Sequence, residues 1–393
     1  MAITREARVL SRHSGLGERA GYLPTLDGWR AVAILAVICT HDSLHSIGPL
    51  STRWLYLHGG SGVDLFFAIS GLLICSRLLE EERVFGFISL RNFYIRRAFR
   101  ILPPALAYLG ALAILILTGV LHIGWREWLG TAFFLRNYHA LMGRVGPDSW
   151  FTGHFWSLAV EEHFYLILPA VLVLTRKRWR VSALSGLCLL VLVHRFSVLQ
   201  TRPWGEVLFH TGTRLDGLLI PALLTVLVQK AEFREAMKKW LRFWPLLLIP
   251  VIALCTYWEG SFARITFLAL LMPLTVLGSV LNPKGYLALF LEWAPLRYIG
   301  RVSYSLYIWQ QLFFPVHYDI GYPLGILENT PLRYVATLAI AIASYHFLER
   351  PLIKLGHKLA PPATPGRDDI SGDTSKTGQP ATTLAAHVEA NPS

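Results

Sequence analysis

Apolar positions run through this chain in stretches too long and too uniform for the half-polar helices of a soluble protein. Ten runs, roughly 29–47, 57–76, 101–121, 155–175, 181–199, 209–229, 243–258, 263–281, 300–317 and 332–353, each come near the ~20 residues an α-helix needs to cross a bilayer. The pattern predicts an all-α polytopic membrane protein with about ten transmembrane helices. The polar segments between the runs set the orientation. With the N-terminus inside, loops 77–100, 176–180, 230–242 and 282–301 face the cytoplasm, and these carry the basic clusters, among them Arg96-Arg97-Ala98-Phe99-Arg100 and Arg176-Lys177-Arg178. The opposite loops are poorer in Lys and Arg, as the positive-inside rule requires, and an even number of spans leaves both termini cytoplasmic. Residues 1–21 are polar and Arg-rich without an apolar core, which reads as a cytoplasmic tail ahead of the membrane domain at 22–356. Residues 357–393 are rich in Pro, Thr, Ser, Gly and Ala and are predicted to be a disordered cytoplasmic tail. The longest outer segment, 122–154, holds Trp125, Trp128, Tyr138 and Trp150, which suit a membrane interface.

Composition narrows the class further. Of 393 residues, 53% are hydrophobic and 16% charged, whereas a soluble domain carries about 25% charge. A net charge of +12 would ordinarily raise the question of nucleic acid. Here the basic residues lie in short runs at span ends, so the expected partner is the membrane and not nucleic acid. Cys39, Cys75, Cys188 and Cys255 sit inside apolar runs with neither zinc-ligand nor C-x-x-C spacing, and no metal site is read from them.

Charged side chains inside membrane spans are costly, so each is a candidate for function. Arg30 and His41 are eleven residues apart in the first span. At ~100° per residue they return to within ~20° of one face, ~16 Å apart along the axis. The second span contributes Asp64, the fourth Glu161 and Glu162, the sixth Arg214 and Asp216. The orientation deduced from loop charge puts His41 and all five of these at similar depth in the outer half. That coincidence suggests one buried polar site, with a network of structural ion pairs as the other reading. On the inner side, Arg97 and Arg100 share a helix face. With Arg30 they form either a phosphate clamp or plain positive-inside charge.

The motifs around these residues resemble those of the acyltransferase-3 family of integral-membrane O-acyltransferases. They are Leu26-Asp27-Gly28-Trp29-Arg30 with His41, Gly62-Val63-Asp64-Leu65-Phe66-Phe67-Ala68-Ile69-Ser70-Gly71, Arg96-Arg97-x-x-Arg100-Ile101-x-Pro103 and Trp156-Ser157-Leu158-Ala159-Val160-Glu161-Glu162-x-Phe164-Tyr165. Arg214-Leu215-Asp216-Gly217, Ile299-Gly300-Arg301-Val302-Ser303-Tyr304 and Glu349-Arg350-Pro351 follow in the family's order. The resemblance implies a multi-pass protein of the plasma (inner) membrane that moves an acyl group from acyl-CoA, usually acetyl-CoA, to a hydroxyl of a glycan or glycosylated acceptor. It implies His41 as the catalytic histidine, Arg30 as its partner position, and Arg97 and Arg100 at the CoA donor. Ser70, Glu162, Arg214 and Asp216, which lie in these motifs, are taken as candidate substrate-binding residues. Two departures bear on the acceptor pocket. His163 stands where Gln is frequent, and Trp309-Gln310-Gln311 stands where many members have Trp-His.

Acyl transfer to a hydroxyl needs a base for the hydroxyl proton and donors for the oxyanion. His41 is the natural base, because histidine ordinarily titrates near neutrality. Asp64, Glu161 or Glu162 would orient its ring. The CoA nucleotide would stay at the cytoplasmic arginines while the pantetheine arm reaches toward His41. An acyl-histidine intermediate is the alternative route. The rival class is a transporter of a glycan or lipid-linked substrate, which also uses midplane charges and Gly-rich helices. The inner arginine cluster and the Arg30–His41 spacing have no special use there.

Overall fold

The structure, a computed structural model, describes residues 23–42, 54, 57–142, 146–202, 204–258, 260–314 and 330–361. The predicted tails lie almost wholly outside the described residues. Among those described, the elements are helical, with no strand. The main helices are α1 (Pro24–His41), α2 (Gly62–Phe85), α3 (Leu90–Leu117), α4 (Trp125–Ala132), α5 (Phe155–Leu174), α6 (Arg180–Leu199) and α7 (Asp216–Val228). They continue with α8 (Ala231–Trp240), α9 (Leu248–Tyr257), α10 (Phe262–Leu281), α11 (Ala294–Phe313), α12 (Thr330–Ala343) and α13 (Arg350–Leu359).

Six helical stretches are long and apolar enough to cross a membrane: 59–85, 90–117, 150–174, 177–199, 231–257 and 262–281. The chain is therefore a helical multi-pass membrane protein. The other four predicted spans fall on α1, α7, α11 and α12, which are shorter or more polar.

Helix ends differ from the sequence reading where charge hides a helix. The predicted cytoplasmic loop 77–100 is largely helical. α2 runs on to Phe85 and stops where Gly86 turns left-handed at φ 80°. α3 begins at Leu90, capped by the Ser89 hydroxyl accepting from the Asn92 amide. The charges that ended the apolar run are satisfied by partners. Arg96 reaches Glu81 at 2.6 Å, and Arg180 grips Glu82 through both Nη atoms at 2.6 and 2.9 Å. Thus Arg97 and Arg100 lie on α3 itself, one turn apart. Residues 231–257 bend at Phe243 (φ −106°, ψ 39°) ahead of Pro245, whose ring and missing N–H break the ladder. Between α12 and α13, residues Ser344–Glu349 form a π-helical turn, which buries Glu349 against the Ser305 hydroxyl at 2.8 Å.

α1 is the hub. It packs most extensively on α11 and also on α2, while α2 packs on α7 and α10. The α1–α11 crossing is backbone to backbone, since a Cβ at Gly300 would overlap the Asp27 carbonyl. Two apolar clusters form, one across α2, α3, α5, α6, α7 and α11, the other around α1, α2 and α10. Phe66 and Ile299 pack against both. α1 and α2 contribute residues to each, so polar groups on those helices are held between two packed bodies.

Candidate functional site

A cavity of about 290 Å³ opens where α1, α2, α3, α5 and α11 converge. Arg30 from α1, Ser70 and Arg77 from α2, and Arg97 and Arg100 from α3 line it. Glu161, Glu162 and Tyr165 of α5 face them, and Ser303, Tyr304 and Tyr307 of α11 complete the wall. The sequence reading took Arg77 for loop charge; the longer α2 carries it into the cavity. Arg30 donates to Asp27 one turn back at 3.1 Å. The Arg97 guanidinium lies over the rings of Tyr165 (5.4 Å) and Phe93 (5.7 Å), a cation–π seat that spends none of its N–H groups on a carboxylate. The Tyr165 hydroxyl and the Ser70 hydroxyl both donate to one oxygen of Glu161. One wall thus joins an arginine, a tyrosine, a carboxylate and a serine.

His41 ends α1 beyond this cavity. Its Nδ1 lies 2.7 Å from Oε1 of Gln310, and its ring meets Trp150 edge-on at 5.0 Å. The helix end is pinned by the next residue: Asp42 takes Arg333 at 2.6 Å and the Tyr334 hydroxyl at 2.7 Å. Ser303, Tyr307 and Gln310 share one face of α11. The first two line the cavity and the third holds His41, so one helix stripe connects the two. Tyr307 also bonds Ser157 at 2.5 Å and the His154 carbonyl at 3.0 Å.

The six charges expected at one depth divide. Glu161 and Glu162 line the cavity. Asp64 pairs with Arg214 at 2.6 Å, and Asp216 pairs with Arg195, in buried contacts outside it. For Asp64, Arg214 and Asp216 the ion-pair reading describes the geometry. Among the described residues no carboxylate is hydrogen-bonded to the imidazole. Asp64 is committed to Arg214, Glu161 to Ser70 and Tyr165, and Glu162 lines the cavity, while the hydrogen-bond partner of His41 is a neutral amide, Gln310.

Sequence reasoning missed several residues. Gln310 and Gln311 were noticed only as departures from a motif. Trp150 was one interfacial aromatic among several, and its position against His41 depends on the outer segment's fold. That segment is braced by a buried network. Arg136 donates to Thr152 at 2.9 Å, the Ser149 hydroxyl donates to Glu127 at 2.7 Å, and Glu127 and Arg136 approach to 3.4 Å. Burial pulls the Arg136 guanidinium below its ordinary pKa, and Glu127 opposes the shift. His154 was not singled out either. Its ring is 3% exposed and wedged among Tyr108, Phe155 and Tyr307. The Ile308 backbone interacts with it, yet neither ring nitrogen makes a hydrogen bond of ordinary geometry. Among the described residues no cluster of His, Cys, Asp and Glu could hold a metal ion.

The structure thus sets a histidine beyond an arginine-lined cavity among apolar helices. Comparison with known proteins makes the class definite. Residues 23–345 match the family described as "Acyltransferase domain", acyltransferase-3. The chain belongs to this family. It is 29% identical to "Putative peptidoglycan O-acetyltransferase YrhL" of Bacillus subtilis (strain 168), over 86% of this chain and 56% of that protein. It is 31% identical to "Putative O-acetyltransferase SACOL0978" of Staphylococcus aureus (strain COL), over 86% of this chain and 58% of the relative. It is 28% identical to "O-acetyltransferase OatA" of Staphylococcus aureus (strain NCTC 8325 / PS 47), with 86% and 58% covered. The chain thus spans a little over half the length of these relatives. No solved structure matches it.

Proposed function

We propose that the protein is a membrane-embedded O-acetyltransferase that moves an acetyl group from acetyl-CoA to a hydroxyl of a carbohydrate acceptor. The observation that carries this reading is the division of labour along α1. Arg30 opens into the arginine-lined cavity, and His41 stands ~16 Å further along the same face. Arg30, Arg97 and Arg100 hold the CoA phosphates, and the thin pantetheine arm runs past Tyr307 toward His41. There the acceptor hydroxyl oxygen attacks the thioester carbonyl carbon as His41 takes its proton. The carbonyl electron pair moves to oxygen and returns as the C–S bond breaks. The proton passes from His41 to the departing sulfur, leaving ester and free CoA thiol.

The name of the Bacillus relative supports a glycan acceptor of the peptidoglycan type. The helices at the four further predicted positions, α1, α7, α11 and α12, support ten crossings with both termini in the cytoplasm of a cell bounded by this plasma membrane. The decisive experiment gives purified protein in nanodiscs radiolabelled acetyl-CoA and soluble peptidoglycan fragments. Label is expected on the glycan in an alkali-labile ester, and no label on any acceptor would overturn the reading. Cysteine-accessibility probes at residues 235 and 385 should both report cytoplasm.

A further inference from the structure

The departure at Trp309-Gln310-Gln311 has a geometry of its own. Gln311 Nε2 lies 2.8 Å from the carbonyl oxygen of Trp150, Gln310 Nε2 lies 3.1 Å from Gln311 Oε1, and Gln310 Oε1 lies 2.7 Å from His41 Nδ1. Amide ends are assigned by their partners, and this chain ends on a group that allows no choice. A backbone carbonyl only accepts. Gln311 must therefore turn its NH2 to Trp150, which points its oxygen at Gln310. Gln310 must then turn its NH2 to Gln311, which points its oxygen at His41. Reversing either amide would set two oxygens, or two hydrogen-bearing nitrogens, against each other in a buried site. Gln310 is 0% and Gln311 2% exposed, so water cannot repair the mismatch.

We infer that the Trp150 carbonyl, Gln311 and Gln310 form a directional relay that fixes the tautomer of His41, with the proton on Nδ1 and the lone pair on Nε2. This rests on the proposed function for its purpose, because a base in a hydroxyl-to-thioester transfer needs one nitrogen with a lone pair and a ring that does not turn. Gln310 and Gln311 are positioning residues. The relay replaces the carboxylate that the sequence suggested. A neutral acceptor orients the ring without drawing it toward the imidazolium, which suits a base that must begin neutral. It also couples the ring to the outer segment, since Trp150 supplies both the terminal carbonyl and the edge-on contact to His41.

Two measurements test the relay. The first is 15N solid-state NMR of histidine-labelled protein in proteoliposomes, with the His41→Gln spectrum subtracted to isolate His41. Protonated Nδ1 and unprotonated Nε2 are expected at neutral pH, and Gln311→Leu should turn this into a mixture of tautomers. A pure Nε2–H tautomer in the wild type, or an unchanged His41 signal in Gln311→Leu, would overturn the inference. The second is kinetic, with acetyl-CoA and peptidoglycan fragments. Gln310→Leu should lower kcat ~10- to 100-fold with the KM for acetyl-CoA unchanged, less than loss of the base itself. Gln311→Leu should cost ~3- to 10-fold and nothing further in the Gln310→Leu background, because it acts only through Gln310. Losses that multiply would mean two independent packing effects and would also overturn it. A wild type that transfers no acetyl group refutes the proposed function, while the NMR result still decides the tautomer.

Discussion

Two sets of buried charges in this protein are treated differently, although Arg30 in the second keeps an ion pair with Asp27. In the belt formed by Asp64–Arg214, Asp216–Arg195 and Asp42–Arg333, each carboxylate is closed onto a guanidinium. In the cavity, Arg97 and Arg100 form no ion pair with a carboxylate among the described residues, and Arg97 rests on aromatic faces instead. Glu161 there takes hydroxyls in place of a cation. A charge that has already found its partner has little left for a ligand. A charge held in place by π-faces and hydroxyls keeps its donors for one. The belt accordingly joins helices, and under the proposed function the cavity is where an anionic donor would sit.

Breaking the reacting end should have the largest effect. His41→Ala is expected to lower acetyl transfer ~10²–10⁴-fold, the usual cost of losing a general base. Acetyl-CoA should still bind, since Arg30 lies ~16 Å away along α1 and Arg97 and Arg100 stand on α3. Separate measurements of donor binding and of transfer check this. Substantial residual transfer would remove His41 from the base's role, and loss of both would move it to the donor site.

The belt should fail differently. Arg195→Met leaves Asp216 buried without its partner, and stripping one member of a buried pair costs ~3–5 kcal/mol. Thermal unfolding in detergent should show a large drop for Arg195→Met. Arg97→Ala should instead weaken acetyl-CoA binding with little change in unfolding, and Arg97→Lys should restore only part of it because the planar fork is gone. If Arg97→Ala unfolded the protein and Arg195→Met did not, the contrast between belt and cavity would be reversed.

Much of this was legible in the sequence, and the part that was not has a physical pattern. Hydropathy located helices at every predicted span because lipid demands apolar surface whatever the fold. It placed α2 and α3 too short, because Glu80, Glu81, Glu82, Arg96 and Arg97 look like loop residues until their partners are seen. Loop charge gave only an expected depth along the membrane normal, and so grouped Asp64, Asp216 and Glu161. It gave no rotation about each helix, which decides whether a carboxylate meets a cavity or a guanidinium on the next span. Gln310 showed in the sequence only as a departure from a motif, because a neutral amide stands out neither in charge nor in hydropathy, and only contact with His41 gives it a place at the site.

A finer prediction asks whether the contrast depends on pairing or on burial, and Glu82 isolates the variable because two cations share it. Arg180 is nearly buried and meets Glu82 through both Nη atoms, while Lys177 reaches the same carboxylate at 3.5 Å with its side chain 73% exposed. An exposed pair is screened by water and must order a long side chain, so it contributes ~0–1 kcal/mol. Lys177→Ala should therefore shift unfolding by no more than ~0.5 kcal/mol. Arg180→Met, which removes the bidentate partner and the donor to the Leu172 carbonyl, should cost several times as much. Equal effects would mean that Glu82 needs only nearby positive charge and that its pairing with Arg180 is held by field alone. Unequal effects would assign its strength to desolvated, directed hydrogen bonds to a carboxylate, the kind that Arg97 does not make among the described residues.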